Sequence, residues 1–546
     1  MLSGNNRALS LSIGRNGFAV AIRSALRIET NLPSEMGIPS YFKRLADSVK
    51  GILVREVNGV KALLLDFNCI VYNCIRDPTL PAYCEDEEKK AAWEALVQEE
   101  VCKYIVEIWQ SCGKPPSVLI AVDGVVPMAK IRQQRMRRFK SLWWAAKEYE
   151  MGVRAPGEVR WDTNAITPGT AFMETLSSRL HRLAKARGWT VSDSNEPGEG
   201  EHKVMAWIRA RGQGTTVVYG LDADLILLSM LHRCGMSESL YLMREKAEFY
   251  DSGAACKFMY LSIDSLMDAL FVKENRKRHV LDYIAGMSFL GNDFLPHGIS
   301  FKIKEGGHER LLSMLGTLHG EGAWLVDEEG HLVGSSFDQI VGGLAATEEE
   351  DIRHAMKKKR VQKQGPPRSE SEKAMLPVQN LPQDWFVEKC LGTETELVDG
   401  WRDVYRKWTP VRAASYYRYG HQWILDYYMG RPVNTNWYFP WHLPPLMSDV
   451  LVNTEEMPML ATDAPPRPQE QLALVLPTES WHLVRDPALR ELPVRLPQMW
   501  PSRFGFFSAG KRWMWECEAD VPIFTPGRLR VALPLKVALT SSTKLQ

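Results

Sequence analysis

Three short apolar runs, each ending in acid and each followed by helical sequence, constrain this chain more than any other feature. They are "VKALLLDFN" (Val60 to Asn68), "SVLIAVDG" (Ser117 to Gly124) and "TTVVYGLDAD" (Thr215 to Asp224). Each has the length of a buried strand. Between them, Glu85–Trp109, Met128–Tyr149 and Thr170–Arg187 read as helices. Alternation of this kind predicts an α/β fold, a mainly parallel sheet covered by helices on both faces. Ligands in such sheets bind at the carboxyl ends of the strands. Asp66, Asp123, Asp222 and Asp224 all fall at those ends.

More acid lies in "SNEPGEGEHKVMAW" (Ser194 to Trp207), where Glu199 and Glu201 flank a glycine on a turn entering a helix. Taken alone, this is an acidic solvated turn, since Glu in a first helical turn suits the helix dipole. Asp222 and Asp224, two apart on an extended strand end, are expected to point the same way. "FLGNDFLP" supplies Asp293 after a helical segment. Seven carboxylates on strand ends and turns predict one pocket, against the alternative of unrelated surface acids. Such a pocket is costly unless cations neutralise it. Oxygen ligands without thiolates or a histidine pattern select Mg²⁺ or Mn²⁺. Two such ions about 4 Å apart are the usual device for phosphodiester hydrolysis. His202 is expected to be a helix-start residue in ordinary hydrogen bonds, with a ligand or proton shuttle as the sharper reading.

The second apolar run leads into "VDGVVPMAKIRQQRMRRFKS", where Pro127 suits a helix start. Lys130, Gln134, Arg137 and Arg138 then share an arc of roughly 100°. A cationic face beside an acidic pocket is what a terminal phosphate needs, with arginine supplying two-pronged donation. The alternative is a solvated basic helix. Net charge is only +1, Lys+Arg 67 against Asp+Glu 66, so any basic surface is local. The nine cysteines contain no CxxC pair. That excludes a zinc ribbon and a disulfide framework, and fits a reducing compartment. No apolar run reaches a membrane-spanning length of about 18 residues.

These segments carry a family resemblance. "MGIPSYFKRL" (Met36 to Leu45), "LLLDFNCIVYN", "IAVDGVVPMAKIRQQRMRRF", "ITPGTAFM", "EPGEGEHKVMAWIR", "YGLDADLILL" and "FLGNDFLP" resemble, in order, the first conserved region of the Xrn-type 5′→3′ exoribonucleases. "GHQWILDYYMGRPVNTNWYFPWHLPPLMSDV", "PQEQLALVLP" and "GKRWMWECEADVPIF" resemble the second. The resemblance implies a PIN-like nuclease core completed by a mixed, aromatic-rich helical domain that narrows the entrance. It implies metal binding and catalysis by Asp66, Asp123, Glu199, Glu201, Asp222, Asp224 and Asp293, with two Mg²⁺ or Mn²⁺ ions. It implies a 5′-monophosphate pocket at Lys130, Gln134, Arg137 and Arg138, and base stacking at Tyr72 and Trp437. The expected activity is processive digestion of single-stranded 5′-monophosphorylated RNA to nucleoside 5′-monophosphates, in RNA turnover and mRNA decay, by a monomer. Family members usually carry histidine at Tyr72 and a second tryptophan at Thr435. Those departures bear on grip and processivity, not on metal chemistry. A DNA flap or 5′ exonuclease and a noncatalytic RNA-binding scaffold are the competing readings.

Four segments are expected. Residues 1–35 carry Arg7, Arg15, Arg23 and Arg27 with no acid before Glu29. They resemble a transit peptide, the alternatives being a disordered extension or an upstream start codon. Residues 36–300 form the nuclease domain. Residues 301–379 are a variable region with a charged linker, "KKKRVQKQGPPRSESEK" (Lys357 to Lys373), for which a nuclear-localisation signal is the sharper reading. Residues 380–546 form the second region, in which Tyr416–Gly430 reads as helical. The resemblance implies nucleus or cytoplasm, and the mitochondrial matrix if residues 1–35 are a transit peptide. The chain stops soon after the second region, so partners that dock on the longer C-terminal modules of large family members are not assumed.

Overall fold

A computed structural model of the chain describes residues 49–77, 79–155, 157–212, 214–220, 222–245, 256–367, 369–380, 397–453, 455–458 and 463–533, with Tyr41 and Leu45. The expected N-terminal extension lies outside the described residues.

A seven-stranded sheet has the order β1-β7-β6-β5-β2-β3-β4. Its strands are β1 (Leu53–Val54), β2 (Ala62–Asp66), β3 (Ser117–Ala121), β4 (Thr190–Ser192), β5 (Thr216–Tyr219), β6 (Leu240–Glu245) and β7 (Phe258–Ser262). The central pairs β2/β3, β2/β5, β3/β4 and β5/β6 are parallel, while β7 runs antiparallel to β6 and β1. Leu64 is in register with Leu119 and Val218, so the three apolar runs lie side by side. Their alternation divides the core. Leu63, Leu65, Val118, Ile120, Val217 and Tyr219 face one hydrophobic layer with α1 (Asn68–Ile75), α2 (Glu87–Ser111) and α4 (Ala171–Arg187). Leu64, Leu119 and Val218 face the other, with α5 (Gly200–Arg211), α6 (Asp224–Arg233) and α7 (Arg276–Met287). Leu63, Leu64 and Leu65 are all fully buried, the condition for which continuous apolar strands are suited.

Helix ends follow local chemistry. Asp86 accepts from Lys89 N at 3.1 Å and opens α2; Thr170 accepts from Met173 N at 3.3 Å and opens α4. Gly188, at φ 71°, closes α4. Strands β1, β4, β6 and β7 had no counterpart in the sequence reading; β1 and β4, of two and three residues, are too short to show a period.

The second region is helical and aromatic. It includes α8 (Gly334–Val361), α9 (Glu370–Gln379), α10 (Ala413–Met429), α11 (Pro468–Val475) and a small hairpin, β8 (Gly505–Phe507) with β9 (Glu518–Asp520). Tyr417, Trp423, Tyr428 and Trp437 share one buried cluster with Leu64 of the sheet, so the two regions have a common core. The stretch read as a flexible linker is more ordered than expected. Lys357–Val361 complete α8, and Ser369 caps α9 by accepting from Glu372 N at 3.1 Å. The reason is helical spacing: Ile352, Ala355, Met356 and Lys359 are buried along one face, which carries the helix into the basic run.

α3 (Met128–Glu150) joins the regions. Ile131, Met136 and Phe139 pack against Leu472, Leu474 and Leu476. Arg135, fully buried, donates to Leu474 O at 2.7 Å, Pro522 O at 2.8 Å and Met499 O. Arg132 donates to Trp441 O at 3.1 Å. Half the arginines of the basic motif are therefore structural.

Candidate active site

The parallel strands deliver their acids to one end of the sheet. Asp66 is the last residue of β2, and Asp123 lies just beyond β3. Between them sits Gly200, where a Cβ would stand 2.5 Å from Asp66 Oδ1 and 2.8 Å from Ala121 O. Only glycine fits there. Gly200 N donates to Asp123 Oδ1 at 2.7 Å, and Asn68 Nδ2 donates to Asp123 Oδ2 at 2.8 Å. A two-bond strap, Gly124 N to Gly198 O and Gly198 N to Val125 O, both 2.8 Å, ties the second acidic turn to the β3 end. Glu199 caps α5 and Glu201 occupies its first turn; each is 5% exposed.

Asp222 and Asp224 converge by a different geometry from the one expected. They do not sit on an extended strand end. Ala223 between them is right-handed helical (φ −70°, ψ −28°), and Asp224 is the first residue of α6. The chain has already turned into the helix, whose start brings both carboxylates in. Asp293 arrives from the loop after α7, where Gly291 has φ 88°.

The fields of these groups show that all seven meet. Burial, then Asp123, Asp222 and Glu199, push the Asp66 carboxyl well above its ordinary pKa. Burial, then Glu199, Asp222 and Asp224, do the same to Glu201. Burial, then Asp222 and Asp293, raise Asp224. Asp222 is raised by burial and Asp293, and Asp123 by burial and Glu199. Among them stands Lys130, whose Nζ pairs with Glu199 Oε1 at 2.6 Å and Asp293 Oδ2 at 2.7 Å. Burial pulls this ammonium down, but Asp293, Glu199, Glu201 and Asp222 outweigh it and hold it well above its usual value. Burial likewise opposes ionisation of Asp293, yet Lys130 and Arg137 keep it below the usual range.

One lysine leaves a large negative excess. Glu201 Oε2 and Asp224 Oδ1 are buried without a hydrogen-bond partner. Ligand atoms of Glu199, Glu201 and His202 lie within 4.8 Å of one another. Orphaned buried carboxylate oxygens within an acidic cluster fit hard divalent cations.

The second region closes the acidic centre. Tyr427 OH donates to Glu199 Oε2 at 2.8 Å and Tyr428 OH to Asp224 Oδ2 at 3.1 Å. The sequence reading missed both tyrosines, together with Asn68 and with Gln133, which donates to Asp293 Oδ1 at 3.3 Å. The only signal was the adjacent pair in "DYYMG", which helical pattern alone assigns to packing. His202 departs from its expected role. Its ring lies 3.9 Å from that of Tyr427, its Nε2 has no hydrogen-bond partner, and burial with Lys130 and Arg209 lowers it to about 3.

Of the predicted phosphate-binding residues, Lys130 lies inside the acidic centre. Arg137 lies close enough to lower Asp293. Gln134 Oε1 and Arg138 Nη1 are buried without a partner. Burial brings Arg138 down to about 10, opposed by Tyr72, so the half-buried Tyr72 ring and this guanidinium are neighbours. Trp437 is not where base stacking requires it. It is fully buried, its ring centroid 4.9 Å from Trp423, and a Cβ on Gly420 would stand 2.7 Å from it. Its faces are occupied by core side chains, so it braces α10 instead. Thr435, in the place of a second tryptophan, accepts from Met128 N at 2.8 Å and holds the start of α3. Among the described residues, no helix is long and apolar enough to cross a membrane.

Comparison with known proteins matches the same two regions. Residues 36–246 fit the family model described as XRN 5′-3′ exonuclease N-terminus, and residues 273–391 and 405–544 fit the Xrn1 helical domain. The chain is 31% identical over 366 residues to 5′-3′ exoribonuclease 2 of Cryptococcus neoformans var. neoformans serotype D, covering 53% of this chain and 32% of that protein. It is 27% identical over 677 residues to 5′-3′ exoribonuclease 2 of Gallus gallus, covering 91% of this chain and 70% of the relative. It is 26% identical over 600 residues to 5′-3′ exoribonuclease 1 of Homo sapiens, covering 91% and 34%. The chain thus spans about a third of the fungal and human relatives. Both family models, in order, over a parallel sheet whose strand-end acids meet an aromatic helix of the second region, assign the chain to the Xrn-type 5′-3′ exonuclease family.

Proposed function

We propose that this protein is a divalent-metal-dependent 5′→3′ exoribonuclease that removes nucleoside 5′-monophosphates from single-stranded RNA bearing a 5′-monophosphate. The observation that carries the reading is the meeting of Asp66, Asp123, Glu199, Glu201, Asp222, Asp224 and Asp293 in one buried group beside α3. The relatives, named as exoribonucleases, support RNA as the substrate.

The seven acids would hold two ions, Mg²⁺ or Mn²⁺. When bound, the pair supplies Lewis acidity for activating water and for stabilising the departing 3′ oxygen. The rest falls to the chain's own groups. Arg137, Arg138 and Gln134 take the terminal phosphate, where guanidinium forks match phosphate oxygens. Lys130, paired with Glu199 and Asp293, would offer its ammonium to the scissile phosphate. Tyr427 and Tyr428 fix the rotamers of Glu199 and Asp224. Tyr72 beside Arg138 offers a ring to the terminal base, and stacking of that kind accepts any base. A triphosphate or cap carries charge and bulk that this enclosed pocket does not match, so such ends are poor substrates.

The test uses end-labelled RNA carrying 5′-monophosphate, 5′-hydroxyl or 5′-triphosphate, and a DNA strand of the same sequence, with and without Mg²⁺. Mononucleotide release from 5′-monophosphorylated RNA alone is expected, and Asp222→Ala abolishes it while the circular dichroism spectrum is unchanged. Equal digestion of 5′-hydroxyl RNA, preference for DNA, or turnover by the variant contradicts the reading.

A further inference from the structure

A second charged cluster lies away from the acidic centre. Lys302, in the loop that follows Asp293, is 9% exposed; Lys359, in the last turn of α8, is 5% exposed. Lys511, half-buried, comes from the turn after β8. These three segments are far apart in sequence, yet their ammonium groups sense one another. Burial, then the Lys302 and Lys511 charges, hold Lys359 well below its ordinary value, and burial with Lys511 lowers Lys302.

The compensation is incomplete. Lys359 Nζ is buried beside the Lys302 amine and meets no oxygen acceptor. His297 offers no negative charge. Its Nδ1 donates to Gly298 O at 2.9 Å, which leaves Nε2 to accept from Lys511 Nζ at 3.4 Å. Glu305 is engaged by Lys358 at 3.0 Å. Glu516 is the acid that offsets the lysines most, and Lys359 and Lys302 outweigh its burial to hold it at about 2. One oxygen of that carboxylate already accepts from Arg512 N at 2.8 Å and Trp513 N at 3.1 Å. Three buried or half-buried lysines thus face one carboxylate. Burying a cation without a partner costs several kcal/mol, so a fold that gathers three needs an anion or must shed protons.

We propose that Lys302, Lys359 and Lys511 form a binding pocket for one small phosphate-bearing anion, separate from the basic face of α3. The separation follows from helix geometry. Lys140 of α3 donates to Cys517 O at 2.8 Å, beside Glu516. It lies two residues beyond Arg138, about 3 Å along the helix but about 200° around it at 100° per residue, so the cluster meets the side of α3 turned away from that guanidinium. Tetrahedral phosphate presents oxygens in several directions, and converging ammonium groups suit it as point charges. The burial of Lys302 and Lys359 selects a small anion over a threaded polymer. The occupant is inorganic phosphate or the phosphate of a mononucleotide.

The test compares metal-free wild type, Lys359→Met and Arg138→Ala by thermal unfolding and calorimetric titration. The probes are potassium phosphate, adenosine monophosphate, and potassium chloride of equal ionic strength. Lys359→Met keeps the side chain's length and removes its charge. It is expected to unfold at a higher temperature than wild type without phosphate. It is also expected to lose about tenfold or more in affinity at one phosphate site, as loss of a charged contact implies. Arg138→Ala retains that site. Adenosine monophosphate acting through the same site assigns a nucleotide; phosphate alone assigns the inorganic ion. Lys511→Met, at a half-buried position, gives the same loss should Lys359→Met fail to fold. Wild-type phosphate binding in both lysine variants, or a wild-type response to phosphate no greater than to chloride, overturns the proposal.

Discussion

Lys130→Met tests how the acidic centre is held together when no cation is bound. The lysine side chain is 11% exposed and spans Glu199 at 2.6 Å and Asp293 at 2.7 Å. Methionine keeps its length and apolar stem, so the packing around this turn of α3 changes little. What is lost is the ammonium that pairs directly with two of the seven carboxylates. Removing one partner of a buried pair costs about 3–5 kcal/mol. Two carboxylates are stranded here, but proton uptake by Asp293 relieves part of the strain. The expected loss is therefore about 3 kcal/mol, roughly a hundredfold in the folding equilibrium. The assay is denaturant unfolding in EDTA and again in saturating Mg²⁺. A dication bound to the same carboxylates replaces the missing charge, so the loss in Mg²⁺ is expected to fall below half its EDTA value. The same loss in both conditions would mean that Lys130 stabilises by packing. No loss in EDTA would mean that the acids do not need it. Either result refutes the account of the site given above.

Three further outcomes follow from individual contacts. Tyr427→Phe removes the hydroxyl that donates to Glu199 Oε2 at 2.8 Å; Mg²⁺ affinity by calorimetry is expected to change by about tenfold, the scale of a hydrogen bond to a charged group, and an unaltered affinity refutes the positioning role. Gly124→Ala would put a Cβ 1.8 Å from Glu196 O, so the strap between the β3 end and the acidic turn must shift, and a fully stable, active variant contradicts that geometry. His442 pairs with Glu518 at 2.7 Å; burial disfavours its charge, but hydrogen bonds to Asp520 and Glu518 outweigh this and raise it. Stability from that raised value is present below about pH 6.5 and lost as pH rises through the folded value. Wild type is therefore expected to lose more stability than His442→Gln between about pH 6 and pH 8, and parallel pH profiles would sink the assignment.

Strands and long helices were legible because their periods are local. The three apolar runs read as strands from length alone, and α2 and α4 ended within about two residues of their expected limits, as boundary reading allows. Asp66 and Asp123 were legible because strand ends in parallel sheets converge on one rim; Glu199, Glu201 and Asp293 reach it from a helix start and a loop, and were legible as acids of the family motifs. The Asp222–Asp224 geometry was not, since whether a backbone is still extended or already helical turns on a single ψ, here that of Ala223. Trp437 was misplaced because an aromatic motif says nothing about which face is covered, and Gly420 and Trp423 cover it.

By itself, the sequence determined the sheet, the acidic rim and the cationic helix, since hydrophobic period and strand-end chemistry act over a few residues. Only the tertiary structure decided which charges neutralise which. It put Lys130 among the acids, sent Arg132 and Arg135 to backbone carbonyls of the second region, and brought Tyr427 and Tyr428 onto Glu199 and Asp224. Pairing of that kind depends on distances between segments far apart in the chain, which packing sets and no local pattern encodes.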